Sequence, residues 1–294
     1  MRLDGMDRSN NVEDRRGRKA PLMAGGGGGL LVIIIVLALK FFNAPPAVQN
    51  MAGPLVQAIQ NQAGENAASE PGPGIDDDAK DFISKILRST EEVWRTQFRE
   101  HVQGGGYTEP KLIIFSGTDR SACGVAQAEM GPFYCPADEQ IYIDPDFFQE
   151  LAQRHKAPGD FAQAYVIAHE VAHHVQNLTG MNQPVQQARK SGDERQENEM
   201  SVRLELQADY LAGVWAHHAQ KNYSLLDEGD IEEGINAANQ IGDDTLQREA
   251  QGYVVPERYT HGTSKQRAYW FRKGFTTGDF EACDELFRLP YNRL

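Results

Sequence analysis

The segment from Asp160 to Leu178 constrains this chain more than any other. It reads as one helix, closed by Thr179-Gly180, and its second half holds His169-Glu170-Val171-Ala172-His173. Histidines at i and i+4 project from one helical face about one turn apart, so both imidazoles can converge on one ion. Glu170 sits beside them as a free carboxylate. In a zinc hydrolase such a group takes the proton of a water whose pKa the metal has lowered. Two solvent-facing histidines on an amphipathic helix would share the spacing. Ala164, Val166, Ile167, Ala168, Val171 and Ala172 surround the motif with apolar residues instead, and charged groups in such a setting need partners.

A catalytic zinc wants three protein ligands and one open position. A second long helix is expected from about Asp193 to Asn222, and it offers Glu194, Glu197, Glu199 and Glu205. Only Glu205 has an acid four residues later, Asp209, and only its neighbourhood, Leu204 to Gly213, is apolar. Glu205 as ligand and Asp209 as acceptor for the other N–H of a ligating histidine would supply both shells of a zinc site, with one zinc per chain. A partly buried ion-paired couple would fit the same pattern.

The N-terminus reads as a membrane anchor. Leu30 to Leu39 (LLVIIIVLAL) is apolar throughout but makes only about 15 Å of helix. Extended to residues 21–42, it reaches roughly 33 Å, enough for one crossing. A cleaved signal peptide would share the basic start and short apolar core, but Asn43-Ala44-Pro45-Pro46 is a poor cleavage site. Basic residues precede the span, and none follows Lys40 until Lys80. Residues 1–20 are therefore expected as a basic cytoplasmic tail, with the remainder outside the cytoplasm, in the periplasm of an inner-membrane protein. Residues 43–75, rich in Ala, Gln, Pro and Gly, read as a flexible linker. Residues 76–294 then form the folded domain.

The net charge is −13 despite the basic N-terminus, and so acidic a body would repel a phosphate backbone. Nucleic acid is not an expected partner. Within the domain, a helix starts near Asp76 and breaks at Gly104-Gly105-Gly106. Lys111 to Phe115 suits a buried strand, and Glu139 to Asp144 suits a strand nearer an edge with Tyr142 outward. A strand followed by mostly helices is an α+β pattern. Cys123 and Cys135 lie in the loop between the two strands. In an oxidising compartment they are expected to pair, for roughly 3 kcal/mol of loop entropy; two separate buried thiols are the alternative.

HExxH followed on a later helix by ExxxD resembles the thermolysin-type zinc peptidases. More narrowly, residues 76–294 resemble the bacterial neutral zinc metallopeptidase family. The stretches that carry the likeness are Gly131 to Asp138 (GPFYCPAD), Tyr165 to His174 (YVIAHEVAHH), Glu205 to Trp215 (ELQADYLAGVW) and His261 to Arg267 (HGTSKQR). The anchor and linker also fit the family's layout. Relatives often carry cysteine where Tyr210 stands, which leaves Cys283 here without a partner. The resemblance implies a zincin-like domain that hydrolyses peptide bonds of a peptide or protein substrate, with Glu170 as general base. It also implies a histidine or tyrosine donor to the oxyanion from a downstream segment. His261, in the turn-like Thr260 to Ser264 segment, is the candidate, with Tyr259 next.

Other features are read blandly. His174 points about 100° from His173 and suits a polar supporting role. His217 and His218 lie too far along their helix for the same ion and read as surface. Arg258 to Lys273, with Tyr269, Trp270 and Phe271, reads as packing plus solvated charge. Two other functions share these residues: a tethered zinc-binding module without catalysis, and a zinc hydrolase of a non-peptide bond.

Overall fold

In the computed structural model, which describes residues 1–17 and 77–294, the chain is mixed α+β, a small sheet with many helices. Val12–Asp14 forms β1. Asp78–His101 forms α1, whose N-cap Asp77 accepts from the Lys80 backbone N–H. Then come β2 (Lys111–Ile114), a hairpin of β3 (Thr118–Ser121) and β4 (Gly124–Gln127), β5 (Phe133–Cys135) and β6 (Gln140–Ile143). The longer helices after them are α2 (Asp146–Gln153), α3 (Asp160–Thr179), α4 (Gln183–Ser191), α5 (Glu194–Tyr223), α6 (Asp230–Gln240), α7 (Asp243–Gln251) and α8 (Ser264–Thr277).

The four-stranded sheet runs in the order β1-β2-β6-β5, with β5 antiparallel to β6 and the other pairs parallel. Because β2 is apolar on both faces, the sheet can be buried on both. Leu112, Ile114, Ile141 and Ile143 face the main core. Ile113, Phe115 and Tyr142 form a second cluster with Cys135 and with Ala126 of the hairpin. The expected placement of Tyr142 is therefore corrected. Its strand is interior, not an edge, and the ring is 1% exposed under the hairpin, its hydroxyl donating to Asp138 at 2.9 Å. Cys123 and Cys135 form a disulfide that joins the end of the hairpin to β5.

The membrane arrangement is also corrected. No helix among the described residues is long and apolar enough to cross a membrane; the anchor expected over 21–42 and the linker over 43–75 lie outside those residues. What overturns the single-pass topology is where residues 1–17 sit. They are not a free tail but part of the body. β1 pairs in parallel with β2, Val12 opposite Leu112. The buried carboxylate of Glu91 accepts from Ser9 Oγ at 2.5 Å and Asn11 Nδ2 at 2.8 Å. Arg16 bridges Asp14 and Asp77 at 2.8 and 2.9 Å. One membrane crossing between residue 17 and residue 77 would put these partners on opposite sides of the bilayer. The cytoplasmic tail with an extracytoplasmic domain is therefore abandoned.

Helices α3, α5 and α8 make the centre of the core. α5 and α8 approach closely at two glycines: a methyl on Gly213 would stand 2.1 Å from the Phe271 carbonyl oxygen, and one on Gly274 would stand 1.9 Å from that of Tyr210. Any larger residue would force the helices apart. This close crossing lets the buried face of α8, Arg267 with Trp270, Phe271 and Gly274, reach the middle of α5.

Candidate metal centre

α3 is covered on nearly every side, so its polar residues have little access to bulk water. His169 and Glu170 are 7% and 8% exposed. Gly180, in the left-handed region at φ 75°, ends the helix. The packing of α3 against α5 brings Glu205 to the two histidines. Glu205 Oε2 lies 3.1 Å from His169 Nε2, and its Oε1 lies 3.5 Å from His173 Nε2. One ligand atom from each of the three residues lies within 4.8 Å of the others. Donors about 2.0–2.1 Å from a tetrahedral zinc sit about 3.3 Å from one another, so two imidazole nitrogens and a carboxylate at these separations fit that ion. Glu194, Glu197 and Glu199 belong to the first turns of α5, where Glu197 and Glu199 pair with Arg189 and Arg195.

The rear of each imidazole is held differently. His169 Nδ1 lies 2.9 Å from Asp209 Oδ1. Asp209, fully buried, also receives Arg267 Nε at 2.9 Å and the Tyr165 hydroxyl at 2.5 Å. Burial alone would raise the Asp209 carboxyl, but Arg267 and His169 bring it down to about 2. A lasting carboxylate there fixes the tautomer and orientation of His169. His173 Nδ1 instead meets the Gln176 amide at 2.8 Å. Glu170 faces the cleft outside the ligand set, and burial raises its carboxyl above the ordinary range. That is the direction expected of a group that takes up a proton and passes it on.

A cleft of about 500 Å³ opens in front of these groups, lined among others by Phe133, Tyr134, Phe147, His155 and His261. It is bordered by β5, whose outer edge has no partner strand among the described residues, so Phe133–Cys135 is a strand open to an extended ligand. His261, also at the cleft, is half exposed on the loop before α8, whose N-terminus is closed by the Thr263–Gln266 capping box. Asp243 organises this loop. Its Oδ2 accepts the backbone N–H groups of Thr260, His261 and Gly262 at 2.7, 2.6 and 2.9 Å, and its Oδ1 lies 3.2 Å from His261 Nδ1. Burial opposes the charge on His261, but Asp243 and the nearby Glu205 raise its pKa above the ordinary imidazole value.

Several side chains differ from expectation. Arg267, read as solvated charge, is 3% exposed and clasps Asp209. The signal was its spacing: it lies three and four residues before Trp270 and Phe271, on the helix face they bury. Tyr165, Gln176 and Asp243 were missed as site residues; Tyr165 and Gln176 lie at i−4 from His169 and i+3 from His173, on the motif's own face. His174 is buried and lies 2.7 Å from the Thr108 carbonyl and 3.1 Å from the Tyr134 hydroxyl, a supporting role. His217 and His218 are not free surface but lie 2.8 and 2.9 Å from the Phe275 and Gly278 carbonyls at the end of α8. Cys283 is a buried free thiol, and the Tyr210 hydroxyl donates to the Asp279 carbonyl at 2.7 Å.

Comparison with known proteins extends the site's likeness to the whole chain. Residues 1–286 match the family model described as putative neutral zinc metallopeptidase, so the match includes the N-terminal strand. An uncharacterized protein of Escherichia coli K12, YpfJ, is 43% identical over 285 residues, 97% of this chain and 98% of that protein. An uncharacterized protein of Mycobacterium tuberculosis H37Rv is 44% identical over 193 residues, 61% of this chain and 63% of its own length. No solved structure matches.

Proposed function

We propose, from the premise that the chain belongs to this neutral zinc metallopeptidase family, that it hydrolyses peptide bonds with zinc held by His169, His173 and Glu205. The observation that carries the reading is Glu170, a buried carboxylate at the cleft beside three converging ligand atoms but not among them. A purely structural site has no use for that group and closes with four protein ligands. When bound, zinc supplies Lewis-acid polarisation of the substrate carbonyl and acidifies water. Glu170 takes the proton of the attacking water and passes it to the leaving amine. The edge of β5 aligns an extended substrate through main-chain hydrogen bonds. His261, steadied by Asp243, donates to the oxyanion as it develops.

The test is to incubate the full chain plus zinc with a mixed peptide library and sequence any new termini. The full chain is needed because residues 1–17 supply β1. New termini that a zinc chelator abolishes support the reading. A zinc-loaded protein that yields none would point to a binding module or a hydrolase of another bond.

A further inference from the structure

The ligand His173 is tied to α5 by a relay of neutral amides. Gln176 is one turn beyond His173 on α3 and 1% exposed, and Gln207 on α5 is fully buried. His173 Nδ1 lies 2.8 Å from Gln176 Oε1. Gln176 Nε2 donates to the Leu204 carbonyl at 2.8 Å and to Gln207 Oε1 at 3.0 Å, and Gln207 Nε2 donates to the Cys283 carbonyl at 3.2 Å.

The chemistry of the termini gives this relay a direction. The Leu204 and Cys283 carbonyls can only accept, so the amide nitrogens of Gln176 and Gln207 must face them. The Gln176 oxygen is then left for His173, which must present a proton on Nδ1, so that the neutral ring carries its lone pair on Nε2. Leu204 immediately precedes Glu205, so the same amide also ties the helix of the histidines to the helix of the third ligand.

We infer that Gln176, oriented by Leu204 and Gln207, is a positioning residue that fixes the metal-facing nitrogen of His173 and the spacing of α3 and α5 at the ligand cluster. The inference rests on the assignment of His173 as a ligand. It differs in kind from the support of His169, where an ion pair does the holding. Two buried amides with all these polar atoms satisfied leave no net charge behind the ring, and a methionine in place of Gln176 keeps the length while removing both the acceptor and the donor.

The experiment measures zinc affinity of the full chain by competition with a chromophoric chelator, alongside the thermal midpoint of the zinc-free protein. Gln176→Met is expected to weaken zinc binding by about 10- to 100-fold, the usual scale for a ligand's hydrogen-bond partner. Gln207→Met, which frees Gln176 without touching His173, is expected to weaken it by a smaller factor. In the zinc-loaded wild-type chain, the His173 Nδ1 proton is expected as a solvent-protected NMR signal with a cross-peak to the Gln176 side chain. Wild-type affinity in a folded Gln176→Met protein, or a His173 proton exchanging freely with water, overturns the inference. If Gln176→Met does not fold, unchanged affinity in Gln207→Met overturns it instead. His173→Ala separates the two levels. Loss of zinc there with full affinity in Gln176→Met sinks the relay alone, whereas full affinity in His173→Ala sinks the ligand assignment beneath it.

Discussion

His169 and His261 line the same cleft, and they are held in opposite ways. Behind His169 stand Asp209, Arg267 and Tyr165, all buried and tied to one another. Behind His261 stands one carboxylate, Asp243, which grips chiefly the backbone of the loop and leaves the ring half exposed. The difference matches the two proposed tasks. A metal ligand must be in place before the ion arrives, and a buried, fully paired network supplies that order. A donor to a developing charge must meet a substrate that comes and goes, and a loop braced at its backbone leaves the side chain accessible.

Substitutions can break the comparison from either side. The largest effect belongs to the ligand side: Glu205→Ala should lose zinc, and hydrolysis with it, in a metal analysis of the purified protein. One tightly bound zinc in that variant would move the third ligand elsewhere. On the loop side, His261→Ala should lower kcat by about 100- to 1000-fold with zinc content unchanged. An unchanged kcat would remove His261 from the mechanism, with Tyr259 the next residue to test. Asp209→Asn keeps the shape but removes the charge that Arg267 and His169 share. Zinc affinity or activity should fall by about 10- to 100-fold, and a variant equal to wild type would show that packing alone orients His169.

The smallest effect lies away from the cleft, where the N-terminal strand is fastened. The Arg16 guanidinium holds Asp77 below the ordinary carboxylate range. Its contribution to stability is therefore full above that range and is lost as pH falls through the lowered value. Asp77→Asn preserves a good N-cap for α1, so it isolates the ion pair. Unfolding free energies of the two proteins from urea titrations should differ by about 1 kcal/mol or less at neutral pH, since the pair is partly exposed, and should converge in acid. A gap that persists in acid would assign the difference to something other than the charge.

The parts of the molecule legible in the sequence were those governed by local spacing. The i, i+4 histidines, the Glu205–Asp209 pair and the glycine after Thr179 follow helix periodicity, and α3 and α5 carry them as that periodicity requires. What was not legible depends on contacts distant in sequence. Tyr142 reads as outward because its strand alternates, but strand order and a covering hairpin are set by β5 and Ala126, which periodicity cannot place. Residues 1–17 look like a charged tail because their partners, Glu91 and Asp77 among them, lie beyond a long intervening segment. Arg267 was legible in part: its spacing from Trp270 and Phe271 marks a buried face, and charge alone argued the other way.

Everything proposed for the cleft depends on the assignment of Glu170 to the chemistry and not to the metal. Glu170→Gln tests it most directly, because the variant keeps all three ligands and removes only the base. Zinc content and peptide cleavage are measured on the same preparation. The variant is expected to keep a full zinc complement and to lose nearly all hydrolysis; cleavage at close to the wild-type rate by the zinc-loaded variant would remove Glu170 from the proton transfer.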